Sequence, residues 1–346
     1  MNSKDSQTPS SEKSSPFKIL SIEGGGIKGL YAAQLLAQIE EKVKGPIGNY
    51  FDMICGTSTG GLIALGISCG IPCKKMSDFY KENGPLIFPR RNKIDSILRC
   101  LRQCIFSTKY SNKQLERALT SIFGHRTMKD ANNLLCIPAF NMTLGRPSVF
   151  KKPFGPYNRD GRFTMVQVGM ATSAAPTYLP SITIENNQYV DGGIFCNNPA
   201  MVGYTEAMDH FIEKSCSKNG DSMKYDNISM LSIGMPGDPA GENPFTSTTR
   251  SFIGWKEKLI NTAMNGTSYI TDYQIKKLLE INGGEYFKIN PPPLSSEHLK
   301  IVEMDNTSKK SLSVLLSHGQ DIGDTYTSTN WSKIKTFFDS NKTYQF

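Results

Sequence analysis

Two short apolar runs, residues 17–22 (FKILSI) and 51–55, each end in a glycine-rich turn that opens into a helical stretch. The first run reads as a buried strand. From 27 to 43 the apolar positions Leu30, Ala33, Leu36, Ala37, Ile39 and Val43 recur at helical spacing. The second run leads through its turn into a small-residue helix over 60–69. Strand, glycine turn and helix, repeated, is the pattern of a parallel sheet covered by helices. Downstream we expect a polar and basic helical stretch over 74–123, a strand over 134–141, a helix over 163–171 and a strand over 182–190 ending at Asp191. An alternating strand over 227–233 and a helix over 250–279 follow, the latter with Phe252, Leu259, Ile260, Ala263, Ile270, Tyr273 and Leu278 as its apolar face. With no internal repeat and no interior Ser/Gly linker, the expectation is one α/β domain over 17–346 with a helical cap inserted at about 74–130.

The 346 residues suffice for one large core or two ordinary ones. Residues 1–16 are polar, rich in serine and without an aromatic, so they are expected to form a disordered tail. They lack the apolar stretch of a secretory signal, and no window is apolar enough for a membrane span, which together imply a soluble, cytoplasmic protein. In that compartment the eight cysteines are expected to be reduced thiols acting as small buried hydrophobes. The spacing of four in Cys69/Cys73 and Cys100/Cys104 is not that of a zinc site. A formal charge of +8 favours an anionic partner, such as a phospholipid headgroup or a nucleotide. Nucleic acid is disfavoured, because no zinc-finger, helix-turn-helix or aromatic RNA-binding signature accompanies the charge.

Gly56-Thr57-Ser58-Thr59-Gly60-Gly61 lies between a strand and a helix. Gly-x-Ser-x-Gly in that setting is the nucleophile elbow: the serine is lifted above the sheet in a strained conformation, and Gly56 and Gly60 remove the Cβ atoms that would clash. The following helix directs its N-terminal dipole at a developing negative charge. The competing reading is an ordinary phosphate-binding or packing turn. Residues 21–29 (SIEGGGIKG) form the second turn, and two readings stand there too. Gly24-x-Gly26-x-x-Gly29 matches the dinucleotide fingerprint and would make the chain a nucleotide-binding module. That reading wants an acidic residue about twenty positions on at a strand end, whereas Glu40 and Glu41 sit in the helix. The other reading is an oxyanion hole with N–H donors from Gly25, Gly26 and Lys28, and it fits a neighbouring serine elbow better.

A serine hydroxyl needs a proton acceptor. Asp191 sits at a strand end before Gly192-Gly193, where a catalytic group is expected on such a sheet. None of His125, His210, His298 and His318 lies in a glycine-bounded turn at a strand end; His210 is expected mid-helix beside Glu206 and Asp209. A Ser58–Asp191 dyad is therefore preferred to a triad.

Four segments in order, GGGIKG (24–29), GTSTGG (56–61), ATSAAPTYLP (171–180) and DGGIFCNNPA (191–200), closely resemble the patatin-like phospholipases. The set is far more specific than any one motif, and it covers the chain from 17 to about 200. The resemblance implies a three-layer fold: a mostly parallel central sheet, helices on both faces, and a helical cap insertion. It also implies hydrolysis of phospholipid or other acyl esters by Ser58 as nucleophile and Asp191 as base, with Gly24, Gly25, Gly26 and Lys28 in the oxyanion-hole turn and neither metal nor cofactor. Three positions depart from the family's usual pattern: Glu23 replaces Asp, Lys28 replaces Arg, and Met170 stands where Arg is frequent. Lysine is a poor substitute for a bidentate arginine, and no substitute is needed if only the backbone N–H matters.

The chain's size, short polar tail and lack of a signal also resemble bacterial members switched on by cyclic oligonucleotides in antiphage defence. That resemblance implies a cyclic oligonucleotide activator and action at the inner membrane surface, and it is compatible with a homo-oligomer. Residues 89–110 offer a basic stretch for such a ligand. Arg90, Arg91, Lys93, Arg99, Arg102 and Lys109 stand against one Asp95, on a helix whose apolar stripe is Ile94, Ile97, Leu98, Leu101 and Ile105. A plain surface helix, a membrane-docking face and an anionic regulator's pocket all fit this pattern. The turn-rich stretch 151–159 (KKPFGPYNR) carries a second basic cluster open to the same readings.

Overall fold

Alternation along the strands sets the layers. In β1 (Phe17–Ile22) Leu20 and Ile22 join one apolar cluster, while Phe17 and Ile19 join another on the opposite face. The same split recurs in β2 (Met53–Gly56), β3 (Leu134–Asn141) and β7 (Ile228–Ile233), so these strands are buried on both sides. That is why FKILSI reads as a continuous apolar run. The computed structural model describes residues 15–89, 108–212, 225–237, 249 and 252–344, without the side chains of 252–254, 256–258 and 260. Of the polar tail 1–16 only the last two residues fall within it, and Arg90, Arg91, Arg99 and Arg102 lie outside it.

One layer holds α1 (Gly29–Val43), α2 (Thr59–Ser68), α3 (Cys73–Ile87), α4 (Lys113–Phe123) and α5 (Met165–Thr172). After β4 (Arg146–Lys151), β5 (Ile182–Ile184) and β6 (Asn187–Asp191) comes the one-turn α6 (Gly193–Cys196). Helices α7 (Ala200–His210) and α8 (Phe252–Ile281) cover the other face. The chain ends with β8 (Glu285–Ile289), the short α9 (Ser296–Leu299), α10 (Lys309–Thr327), which packs on α1, and α11 (Trp331–Ile334). The sheet is a three-layer α/β core in strand order β5-β6-β3-β2-β1-β7-β8, with β4 paired to β3. Its centre is parallel and its β4, β5 and β6 pairings are antiparallel.

The pairing of β3 decides what meets what. Residues 134–136 pair with β2 and 139–141 with β6, while β4 takes 136–141. Cys136 is shared by β2 and β4, and 139–141 are shared by β6 and β4, so β2 and β6 lie along one edge of β3. Parallel β2 and antiparallel β6 therefore run toward each other, and their carboxyl ends, Gly56 and Asp191, meet head to head.

Several expectations are corrected. The strand expected over 182–190 is a hairpin, β5–β6, turned at Glu185 and Asn186 with φ of 46° and 64°. Two left-handed central residues suit a two-residue hairpin, but Glu-Asn lacks the glycine that usually signals one. Of the apolar face assigned to α8, Leu278 packs half-buried against the second core, but most of the rest points the other way. Leu259, Ile270 and Tyr273 are exposed, at 50%, 51% and 65%, and Met264, Ser268, Ile275 and Leu279 are buried instead. The side chains of Phe252 and Ile260 lie outside the described residues. Helix α8 carries apolar groups on both sides, and fit against Gly193 and the second core, not hydrophobicity, selects the buried one. Strands β4 and β8 and helix α10 were not anticipated.

Cys55, Cys73, Cys136 and Cys196 are buried free thiols and Cys69 is a half-buried one; Cys100, Cys104 and Cys216 lie outside the described residues. Among the described residues, no helix is long and apolar enough to cross a membrane, and no group of three or more His, Cys, Asp or Glu side chains is placed to hold a metal.

Candidate active site

Between β2 and α2 the chain reverses without room for side chains. A Cβ on Gly56 would strike the carbonyl of Gly60, and one on Gly60 would strike those of Ile22 and Glu23. The compression falls on Ser58, whose φ of 55° and ψ of −125° lie in a region that L-residues rarely occupy. Two hydroxyls hold the residue there. The Ser58 N–H donates to Thr172 Oγ1 at 3.0 Å, and Thr172 Oγ1 donates to the Pro138 carbonyl at 2.6 Å. Thr57 Oγ1 donates to the Cys196 carbonyl at 2.7 Å, tying the elbow to the segment after Asp191. Thr57 and Thr172 were not singled out from sequence, although both lie inside the motifs quoted above.

The head-to-head strands bring Ser58 and Asp191 together: Ser58 Oγ donates to Asp191 Oδ2 at 2.6 Å. Both side chains are nearly closed to solvent, at 5% and 4% exposure. The other carboxylate oxygen, Oδ1, accepts the Gly193 N–H at 2.7 Å. Gly192 must lack a side chain because its Cβ would strike the Pro138 carbonyl. Burial pushes the Asp191 carboxyl up to about 6, against the opposing pull of the Ser58 and Gly193 hydrogen bonds. It is thus a stronger proton acceptor than an exposed aspartate, yet still mostly ionised at neutral pH.

No histidine shares this site. The side chains of Ser58 and Asp191 bond to each other and, through Asp191 Oδ1, to the Gly193 N–H. His210 closes α7 rather than lying in its middle; its Nε2 is 3.7 Å from Glu206 and its ring packs on Phe154.

The turn at 24–29 faces Ser58 at the carboxyl ends of the neighbouring strands β1 and β2: a Cβ on Gly24 would sit 3.1 Å from the Ser58 Cβ. Its N–H groups are not equivalent. That of Gly24 donates to the Asn197 carbonyl at 3.1 Å and that of Lys28 to the Gly25 carbonyl at 3.2 Å, so neither is free to stabilise an anion. Ile27 donates to the Met304 carbonyl at 2.8 Å. Gly25 and Gly26 remain as the turn's backbone donors, which narrows the set expected from sequence. Lys28 contributes a half-buried ammonium, lowered by burial and partly sustained by Glu303.

Behind the turn lies a buried ionic cluster that sequence reading did not find. Lys288 Nζ of β8 donates to Glu23 Oε1 at 2.7 Å and to Asp272 Oδ2 of α8. Asp272 Oδ1 also accepts from Tyr286 Oη at 2.6 Å and Asn198 Nδ2 at 2.7 Å. Burial alone would lower Lys288; the two carboxylates outweigh it and hold the ammonium above its ordinary value. Glu23 is raised by burial, against Lys288.

An apolar slot opens beside Ser58, walled by Leu62, Phe79, Phe88, Leu115, Tyr178 and Leu179, with Gly26 and Met304 at the turn. The basic stretch 151–159 is committed elsewhere. Lys151 pairs with Glu206 at 2.6 Å, Arg159 with Asp160 at 2.6 Å, and Lys152 donates to the Lys129 and Ala131 carbonyls.

An α/β sheet with a strained serine at one strand end and a buried carboxylate within hydrogen-bond reach defines a serine hydrolase. Residues 20–204 match the patatin-like phospholipase family, and the chain belongs to that family of lipid-ester hydrolases. A cGAMP-activated phospholipase of Vibrio cholerae serotype O1 is 29% identical over 324 residues, covering 88% of this chain and 90% of the relative. A cGAMP-activated phospholipase of Pseudomonas aeruginosa is 30% identical over 304 residues, covering 88% and 86%. One of Escherichia coli is 27% identical over 339 residues, covering 93% and 92%.

Proposed function

We propose that the protein is a phospholipase of the A type in which Ser58 and Asp191 form the catalytic dyad. The observation that carries this reading is the 2.6 Å bond from Ser58 Oγ to a buried carboxylate on an otherwise histidine-free site. Asp191 takes the hydroxyl proton as Oγ attacks the acyl carbonyl carbon, and the carbonyl electron pair moves onto oxygen. The N–H groups of Gly25 and Gly26, with the N-terminus of α2, face that oxyanion. As the intermediate collapses, Asp191 returns the proton to the departing lysolipid alkoxide, leaving acyl-Ser58. Water, deprotonated by Asp191, then attacks the acyl group; the fatty acid leaves and the proton returns to Ser58. The apolar slot beside Ser58 suits the acyl chain.

The same proposal includes activation by a cyclic dinucleotide, supported by three relatives named as cGAMP-activated that align along nearly their whole length. Action is then at the membrane surface, in antiphage defence. Arg90, Arg91, Arg99 and Arg102 are the proposed phosphate ligands, since a guanidinium fork matches phosphate oxygens.

Lipid product analysis tests both parts. Free fatty acid and lysolipid should form with wild type on adding a cyclic dinucleotide. Ser58→Ala should lose at least about 10⁴-fold in turnover while unfolding at the wild-type midpoint. Hydrolysis by Ser58→Ala at the wild-type rate rejects the dyad, and full activity unchanged by every cyclic di- and trinucleotide rejects the activation.

A further inference from the structure

Between α9 and α10 the chain crosses back over the active site as a short strap, residues 303–307. It touches the glycine turn through its backbone. The Met304 carbonyl accepts the Ile27 N–H at 2.8 Å, and a Cβ on Gly26 would strike the Met304 carbonyl oxygen. Gly26 has a φ of +60°, a conformation that glycine adopts and leaves with little cost, so its N–H direction is set by what packs against it. Glu303 adds charge attraction to Lys28 on the same turn, and Met304 also lines the acyl slot.

The strap is itself tied at its far side. Asp305, buried, pairs with Lys109 at 2.5 Å and accepts from Tyr110 Oη at 2.7 Å. Thr307 Oγ1 donates to the Phe88 carbonyl at 2.7 Å, and Ser308 caps α10 by accepting the Ser311 N–H at 3.1 Å. Lys109 is held in turn over the rings of Tyr110 and Tyr178. None of the bonds and ring contacts named here goes to Ser58 or Asp191, so the catalytic pair does not account for the cluster.

We infer that Asp305 is a positioning residue: by anchoring the strap it fixes Met304 against Gly26 and Ile27, and so aims the Gly25 and Gly26 N–H groups at the oxyanion. This rests on the proposed oxyanion role of that turn. Displacing such donors by a fraction of an ångström costs turnover without loss of ground-state binding, because they bind tightly only in the transition state.

The experiment compares wild type, Asp305→Asn, Asp305→Glu and Tyr110→Phe on a soluble short-chain ester, with the cyclic dinucleotide saturating in every assay. For each it records kcat, KM, the unfolding midpoint, and the affinities of a trifluoromethyl ketone, which forms a tetrahedral oxyanion on serine, and of the matching alcohol, which does not. Asp305→Asn should lower kcat by ~10–100-fold with KM within about twofold, and weaken the ketone by the same factor while sparing the alcohol. Tyr110→Phe, which removes one hydroxyl, should show the same pattern at smaller size, and Asp305→Glu should recover part of the loss. Equal loss of ketone and alcohol affinity, or a fall in kcat with ketone affinity intact, overturns the positioning role, as does no change in either variant. Should wild type bind the ketone no better than the alcohol, the oxyanion reading fails instead, whatever Asp305 does.

Discussion

The two glycine turns look alike in sequence but are held by different means. The elbow at 56–61 is shaped mainly by its own glycines and the adjoining strand: Gly56 meets Gly60, Gly60 meets the end of β1, and helix α2 starts at Thr59 within the turn, with Thr172 and Cys196 adding one bond each. The turn at 24–29 takes its shape from far along the chain. Its residues lean on Asn197 and Met304, and on the preceding Glu23, which is tied to Ile233, Lys288 and, through Lys288, Asp272. A turn whose own glycines pack against each other carries its signature in a pentapeptide. A remotely determined one shows only its glycines, and its supports cannot be guessed from them.

The largest expected effect tests the remote support. Lys288→Met leaves the buried Glu23, and beside it the partly exposed Asp272, without their cation, and removal of one partner from a buried pair costs roughly 3–5 kcal/mol. Urea unfolding should show that loss, and Glu23→Gln with Lys288→Met should regain part of it, since one orphaned charge is then gone. A stability change below about 0.5 kcal/mol in Lys288→Met would break the comparison, because the turn would then not depend on its distant partners.

This contrast also explains what the sequence disclosed. Strands β1 and β2, helices α1 and α2, and the positions of Ser58 and Asp191 follow from short-range periodicity and strand-end glycines. The meeting of Ser58 with Asp191 needed one further fact, the sharing of a β3 edge by β2 and β6, which no local pattern encodes. Lys288 and Asp272 look like surface charges, in EYFKI and in a polar turn of α8, until β8 and α8 are placed beside Glu23. Helix α8 shows the limit most plainly. It has apolar residues around its circumference, so periodicity picks a face, but packing against Gly193 picks the opposite one.

A smaller effect tests the local side. Gly60→Ala drives a Cβ into the Ile22 and Glu23 carbonyls, where only backbone could yield, and overpacking of this kind costs roughly 1–3 kcal/mol. The loss should appear as a lowered urea midpoint together with near-complete loss of esterase activity, because the elbow and the end of β1 move as one. Wild-type activity in a stable Gly60→Ala protein would show that the elbow is less confined than its contacts indicate.

The smallest expected effect sharpens the comparison at Asp191, where strands from both sides of the site end. Burial lifts its carboxyl to about 6 in the folded protein, whereas the unfolded chain has the ordinary value near 3.8. Between those values the native state holds a proton that the unfolded state has released, so the group's contribution to stability falls as pH rises from about 4 to 6. Above 6 the folded protein carries a desolvated charge that Asn does not. Asp191→Asn keeps the shape, with its oxygen placed to accept from Gly193 and its amide to donate to Ser58 Oγ. It should therefore be more stable than wild type by about 1 kcal/mol at pH 7, the remainder of the shift being offset by desolvation of the amide. The gap should close as pH falls toward 4, and because Glu23 and every other buried carboxyl is common to both proteins, their titrations cancel in the difference. Activity must run the opposite way, since only the ionised form accepts the Ser58 proton. Wild-type kcat/KM should rise through about pH 6, while Asp191→Asn shows no rise there and stays roughly 10²–10⁴-fold lower above it. A stability gap independent of pH, or an activity profile flat through 6, would mean that the buried carboxylate does not titrate where its surroundings place it, and that its proton is not the one taken from Ser58.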